Sequence, residues 1–120
     1  MFDAKPVDKA GHEIWIDKTL KNDLIAFYIV SFDGDEIGTV RFDFSDDYQK
    51  AEVGIYLAPE HQGRGLGAKM LLIGEEKAQK EFPTLKQIIA RVVPDNIASE
   101  KMFIKSGYDK KFIQLEKKYE

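Results

Sequence analysis

Between Val53 and Leu72 the chain reads VGIYLAPEHQGRGLGAKMLL, an apolar run, three glycines at alternate positions (Gly63, Gly65, Gly67), and then helical periodicity. Glycines let a backbone approach a ligand closely. The first N–H groups of a helix lack internal partners, and the helix dipole favours negative charge there. The dipole is worth roughly 0.3–2 kcal/mol, and several N–H groups converging on a diphosphate add charge-assisted hydrogen bonds. The stretch therefore reads as a seat for an anion. His61 offers an imidazole base beside it, or else an exposed loop histidine. Tyr56 and Tyr108 offer phenolic protons, or else packing. The chain has no cysteine, so it has no thiol nucleophile, thiolate metal site or disulfide framework. No serine has a convincing partner base.

The two common nucleotide fingerprints do not fit. No Lys-Ser/Thr follows the last glycine, as a P-loop requires, and the glycines alternate instead of spreading as GxGxxG. The segment Gln62-Gly63-Arg64-Gly65-Leu66-Gly67 instead fits Q/R-x-x-G-x-G/A after a strand. It resembles the coenzyme A loop of the GNAT superfamily of N-acetyltransferases. A second segment, ARVVPDNIASEKMFIKSGY from Ala90 to Tyr108, is similar to that family's strand followed by an asparagine-led helix and a Gly-Phe/Tyr. The resemblance covers most of Glu36 to Tyr108.

This resemblance implies acetyl-CoA as cosubstrate, without a metal, and a small-molecule amine as acceptor. It implies cofactor contacts from Ile55, Tyr56, Leu57, Gln62, Gly63, Arg64, Gly65, Leu66, Gly67, Ala68, Asn96 and Phe103. Many members place a carboxylate where this chain has Glu52, which is the candidate base for the attacking amine. The other reading of Glu52 is a solvent-facing strand residue. A backbone N–H near Ile55–Leu57 is the candidate oxyanion donor. With no cysteine, direct attack by the amine is the expected route. The family's proton-donating tyrosine, seven residues after the helix's first asparagine, is Phe103 here. General acid catalysis is worth roughly 10²–10⁴-fold. A CoA thiol of pKa near ~8.5 is nonetheless a tolerable leaving group.

The acceptor is less determined. Val40-Arg41-Phe42-Asp43 and both motifs resemble, within the family, enzymes that acetylate amino-sugar nucleotides for surface glycans, and less closely protein N-terminal acetyltransferases. A sugar nucleotide favours basic groups such as Arg41, a cationic acceptor favours Asp43, Asp46 and Asp47, and all of these also fit a solvated turn. A non-catalytic acyl-CoA-binding module and an interaction domain pairing through a sheet edge remain as further readings.

The positioning elements follow from periodicity. The length of 120 residues suits one domain over 1–120 with its own core. With 43% hydrophobic and 32% charged residues the composition is that of a globular protein. A net charge of −3 gives no footprint for nucleic acid. No apolar run is long enough for a membrane span and no signal-peptide pattern is present, so a cytoplasmic location is expected.

Met1 to Pro6 reads as frayed, and Val7 to Leu20 as an amphipathic helix with Trp15 in the core and His12 on the surface. Leu24 to Ser31 (LIAFYIVS) is apolar on both alternating faces, a strand covered on both sides. Asp33-Gly34-Asp35-Glu36 is a hairpin turn with too few ligand positions for calcium. Strands follow at Ile37–Phe44 and Lys50–Leu57, with a turn at 45–49. A helix after the glycine loop ends before Pro83, and its pairs Glu76/Lys80 and Lys77/Glu81 are spaced for surface ion pairs. Then come a strand over Lys86–Val93, a helix capped by Asn96 and running to Ser106, Gly107 past its end, and a strand over Lys111–Glu116. Short turns make the first three strands antiparallel, and the strand–helix–strand unit makes the next parallel. The fold class is α+β, a mixed, mostly antiparallel sheet flanked by helices, as in the GNAT superfamily. Against that family the N-terminus lacks a strand and a helix. The Leu24–Ser31 edge is then expected to need cover from a homodimer or a partner strand.

Overall fold

The computed structural model describes residues 4–6, 14–22, 24–93, 95–111 and 115–119, the first two segments by backbone alone. Six strands form one sheet in sequence order: β1 (Ala4–Pro6), β2 (Ile14–Asn22), β3 (Ile25–Phe32), β4 (Asp35–Phe44), β5 (Lys50–Leu57) and β6 (Gln87–Ala90). Neighbours from β1 to β5 are antiparallel, and β5 and β6 are parallel. Helix α1 (Leu66–Glu81) crosses from β5 to β6, and α2 (Ile97–Lys105) follows. The α+β mixed sheet is as expected, and β5 has the expected bounds.

Alternation decides which face α1 covers. Ala26, Tyr28 and Val30 of β3, Val40, Phe42 and Phe44 of β4, and Ala51 and Val53 of β5 are buried. They meet Leu66, Met70, Leu71, Ile73 and Ala78 of α1 in one core. These helix positions recur every three to four residues, one stripe of a 3.6-residue period. Each large side chain so buried contributes roughly 1.5–3 kcal/mol. Contact is close enough that a Cβ on Gly74 would lie 2.9 Å from Val40 Cγ1. The Tyr28 hydroxyl donates to Glu81 Oε1 at 3.1 Å, tying the end of α1 to the sheet. Beyond that end Tyr48 stacks on Phe82, ring centroids 5.5 Å apart.

The N-terminal expectations are corrected. Residues 14–20, read as part of a helix over Val7–Leu20, lie in the strand Ile14–Asn22, and Ala4–Pro6, read as frayed, pairs with it. The run Ile14-Trp15-Ile16 fits an apolar helix stripe and a strand equally, and pairing with the long apolar β3 decides for the strand. Consequently Leu24–Ser31 is not an exposed edge. β3 pairs with β2 on one side and β4 on the other, which removes the reason for a partner strand or dimer there. Nor is β3 fully buried on both faces: Ile25, Phe27 and Ile29, away from α1, are only half-buried. The expected strand over Lys86–Val93 is limited to Gln87–Ala90. The middle of the expected final strand, 112–114, lies outside the described residues, as does His12, and Lys111, Leu115 and Glu116 have no regular structure.

Candidate active site

The glycine loop joins the end of β5 to α1. Ala58 leads into a short 3₁₀ turn, Pro59–His61. Gln62 Nε2 then donates back to the Leu57 carbonyl at 3.1 Å, closing the loop on its own strand. Gly63 and Gly65 have φ of 82° and 74°, a left-handed conformation that a side chain makes costly. A Cβ at either would meet nothing within 4 Å, so the space over them is open. Gly65 caps α1 without a side-chain hydrogen bond, and the first turn holds no acid. Gly65 as the cap offers no side chain to the leading N–H groups of α1, and the exposed Arg64 stands beside them. That arrangement fits a diphosphate.

Gly67 also has a packing cause. A Cβ there would lie 3.1 Å from Met102 Sδ and 4.0 Å from Leu57 Cδ2. It allows α2 to pack on the first turn of α1. The α2 residue that reaches the loop is therefore Met102, which no sequence motif singled out. Asn96 Oδ1 accepts from Ser99 N at 3.1 Å, so this side chain is engaged in capping α2, as the sequence indicates. Phe103 is 8% exposed, and its ring meets Tyr108 edge-on with centroids 5.1 Å apart. Both rings line a groove of about 890 Å³ between β6, α1 and α2.

Within this groove the Tyr108 hydroxyl donates to Glu75 Oε2 at 2.6 Å. Burial raises the Glu75 carboxyl, against the bond from Tyr108, which lowers it. Burial, then the bond to Glu75 and its charge, pushes the Tyr108 hydroxyl far above the ordinary tyrosine range. Tyr108 is thereby held as a neutral donor to Glu75, a partnership the sequence did not reveal.

A fork opens beside the loop. β5 and β6 pair from Lys50↔Gln87 to Val53↔Ala90, and β5 continues to Leu57 without β6. Alternation along β5 turns the backbone groups of Gly54 and Tyr56 to β4 and those of Ile55 and Leu57 to the edge that β6 leaves, where the Leu57 carbonyl already accepts from Gln62 Nε2. Ile55 and Leu57 are half-buried, whereas the Tyr56 side chain is 58% exposed on the face away from α1. Glu52 lies on the same open face, its Oε1 3.0 Å from Arg91 Nε. Across the β4–β5 ladder Asp43 is opposite Glu52, and Asp43 Oδ1 takes a 2.7 Å bond from Arg41 Nε. The open face thus carries two carboxylates side by side, each with its own guanidinium. His61 is half-buried, and its Nδ1 is buried with no hydrogen-bond partner among the described residues. Leu66 is buried at the start of α1, and Ala68 is exposed in its first turn.

The acetyltransferase (GNAT) domain model matches residues 1–109, which contain the loop, the fork and both helices. The chain belongs to this family. None of the curated proteins matches the chain. Among solved structures, YycN from Bacillus subtilis superposes with a TM-score of 0.72 at 14% identity, over 82% of this chain and 64% of that one. AAC(6')-Iy, bound to the bisubstrate analogue CoA-S-monomethyl-acetylneamine, gives 0.65 at 21% identity, over 83% and 73%. Spermidine N-acetyltransferase from Vibrio cholerae, a dodecamer, gives 0.69 at 20% identity, over 76% and 54%. At these identities the likeness is one of GNAT fold. This GNAT chain spans less than two thirds of the YycN and V. cholerae chains. No helix among the described residues is long and apolar enough to cross a membrane.

Proposed function

We propose that this GNAT domain transfers an acetyl group from acetyl-CoA to a primary amine of a small molecule, with an amino-sugar nucleotide as the finer reading of the acceptor. The observation that carries this is the uncapped N-terminus of α1, next to the fork where β6 leaves β5. Gly63, Arg64, Gly65 and the leading amides of α1 hold the pyrophosphate. The unshared backbone edge at Ile55–Leu57 takes the pantetheine arm and supplies the N–H that polarises the thioester carbonyl. Acetyl-CoA brings an activated acyl group. The chain then has only to orient an amine, deprotonate it and exclude competing water.

Glu52 stands on the open face before the fork, where it can accept the amine's proton directly or through water. AAC(6')-Iy and the spermidine enzyme are named for acceptors that are small amines, which supports the acceptor class. A second reading, an acyl-CoA-binding module without turnover, is favoured by one observation: Phe103 cannot give a proton to the departing thiolate. Thiol release with a panel of amines separates the two, and calorimetric titration with CoA tests both. Binding with amine-dependent thiol release supports the enzyme, binding alone supports the module, and no binding defeats both.

A further inference from the structure

The described glycines divide by physical cause, and one is left over. Gly34, Gly63, Gly65 and Gly107 have positive φ. Gly38, Gly67 and Gly74 do not, but a Cβ on them would press against the Tyr56 carbonyl oxygen, Met102 Sδ and Val40 Cγ1 respectively. Gly54 falls in neither group. It lies inside β5 with ordinary extended backbone, and a Cβ there would meet nothing within 4 Å. A glycine inside a strand weakens it and commonly marks a place where something approaches the backbone. Nothing among the described residues approaches this one.

The surroundings indicate what does. Gly54 shares its face with Glu52 and Tyr56, its neighbours two residues to either side. Its partner across the ladder is Arg41, whose Nε is bonded along its own strand to Asp43, 2.7 Å away. Its own N–H and C=O are turned to β4, and it lies just past the last β5–β6 rung, Val53↔Ala90. Its face is open, beside the candidate base. We infer that the bare backbone at Gly54 is the floor on which the amine-bearing end of the acceptor rests, and that the missing side chain is a determinant of acceptor binding. The inference rests on the acetyltransferase reading for its reaction, but not for its contact.

Gly54→Ala and Gly54→Val fill only open space and add strand propensity, so neither should lower the Tm, and CoA affinity should be unchanged. Because one extra methyl-sized group in a binding site is worth roughly 10–200-fold, kcat/KM for the amine should fall at least about tenfold in Gly54→Val, with Gly54→Ala between. The fall should come mainly through KM. A valine variant within twofold of wild type overturns the inference. Amide-signal titration of the CoA-loaded protein with an amino sugar, an aminoglycoside and a polyamine provides a readout free of turnover. Shifts at Gly54 and Tyr56 without thiol release would defeat the enzyme reading and keep the contact. Thiol release with no shift at Gly54 would keep the enzyme and overturn the contact.

Discussion

Gly65 separates fold from cofactor more cleanly than any other position. It caps α1 at φ 74°, and a Cβ on it meets no atom within 4 Å. Substitution therefore costs the left-handed backbone conformation, roughly 1–2 kcal/mol for alanine and more for a β-branched residue, with no clash to add. Against a total stability of roughly 5–15 kcal/mol the domain stays folded, with Tm lower by roughly 4–10 °C. The cofactor side loses far more. Hydrogen bonds from amides to a charged group contribute roughly 1.5–3 kcal/mol each. A Gly65→Val side chain that displaces two of them weakens CoA by roughly 10²–10⁴-fold.

Gly34→Ala is the matched control. Gly34 has φ of 89° in the β3–β4 turn, and a Cβ there also meets nothing within 4 Å. Its left-handed φ carries a comparable backbone penalty, and it contributes no group to the glycine loop, so CoA affinity should stay unchanged. Calorimetric titration with CoA, with thermal unfolding of the same samples, gives both quantities for wild type, Gly65→Ala, Gly65→Val and Gly34→Ala. If Gly65→Val binds CoA as tightly as Gly34→Ala does, the loop is not the pyrophosphate seat.

Glu52→Gln should lower turnover at saturating acetyl-CoA with CoA affinity unchanged. Arg91→Ala should lower it too and add nothing on top of Glu52→Gln; additive losses would show that the two act separately. Because an exposed ion pair contributes about 0–1 kcal/mol, neither change should move the Tm by more than a few degrees. Tyr28 and Tyr108 both have hydroxyls raised by burial, so above the ordinary pKa of ~10 the unfolded chain releases protons that the folded chain keeps. Stability should therefore fall as pH rises past 10, and Tyr28→Phe or Tyr108→Phe should flatten that fall in melts between pH 9 and 11; unchanged slopes would refute the burial argument. Phe103→Tyr should raise the single-turnover rate, most below the thiol pKa, since the groove beside the ring has room for a hydroxyl. Equal rates would mean that the missing acid is no handicap.

The strand–loop–helix unit proposed to seat the cofactor is legible in the sequence because it is contiguous. The strand, its proline stop, the alternating glycines and the helix start fall within Val53–Leu72, and each has a local physical cause. The same holds for α2, where Asn96 caps and Gly107 turns left-handed as their residue types require. The N-terminus was misread because Ile14-Trp15-Ile16 satisfies both periods, and only the long-range ladder to β3 chooses between them. Gly67 reads from its spacing as one of the loop glycines, and the structure adds a cause that spacing does not carry: a Cβ there would press on the Met102 sulfur of another helix. No window of sequence contains that contact.

The proposed acceptor surface is assembled across strands, and this is why the sequence leaves its substrate open. Arg41, Asp43, Glu52, Gly54 and Arg91 meet only through register, with Asp43 opposite Glu52 and Arg41 opposite Gly54. A slip of one residue in β5 would turn Glu52 and Tyr56 toward α1 and bring Val53 to the open face, so the buried residues that fix the register also fix the acceptor surface. The converse does not hold. Arg41, Asp43, Glu52 and Arg91 are exposed and contribute little to the core. On the proposed function, single changes among them should redirect which amine is accepted while the fold and the glycine loop stay as they are. On the proposed function, acceptor choice is therefore expected to be separable from cofactor binding, and the separation is physical: the proposed cofactor seat is a helix N-terminus packed into the core, and the proposed acceptor surface is the face of the sheet away from α1.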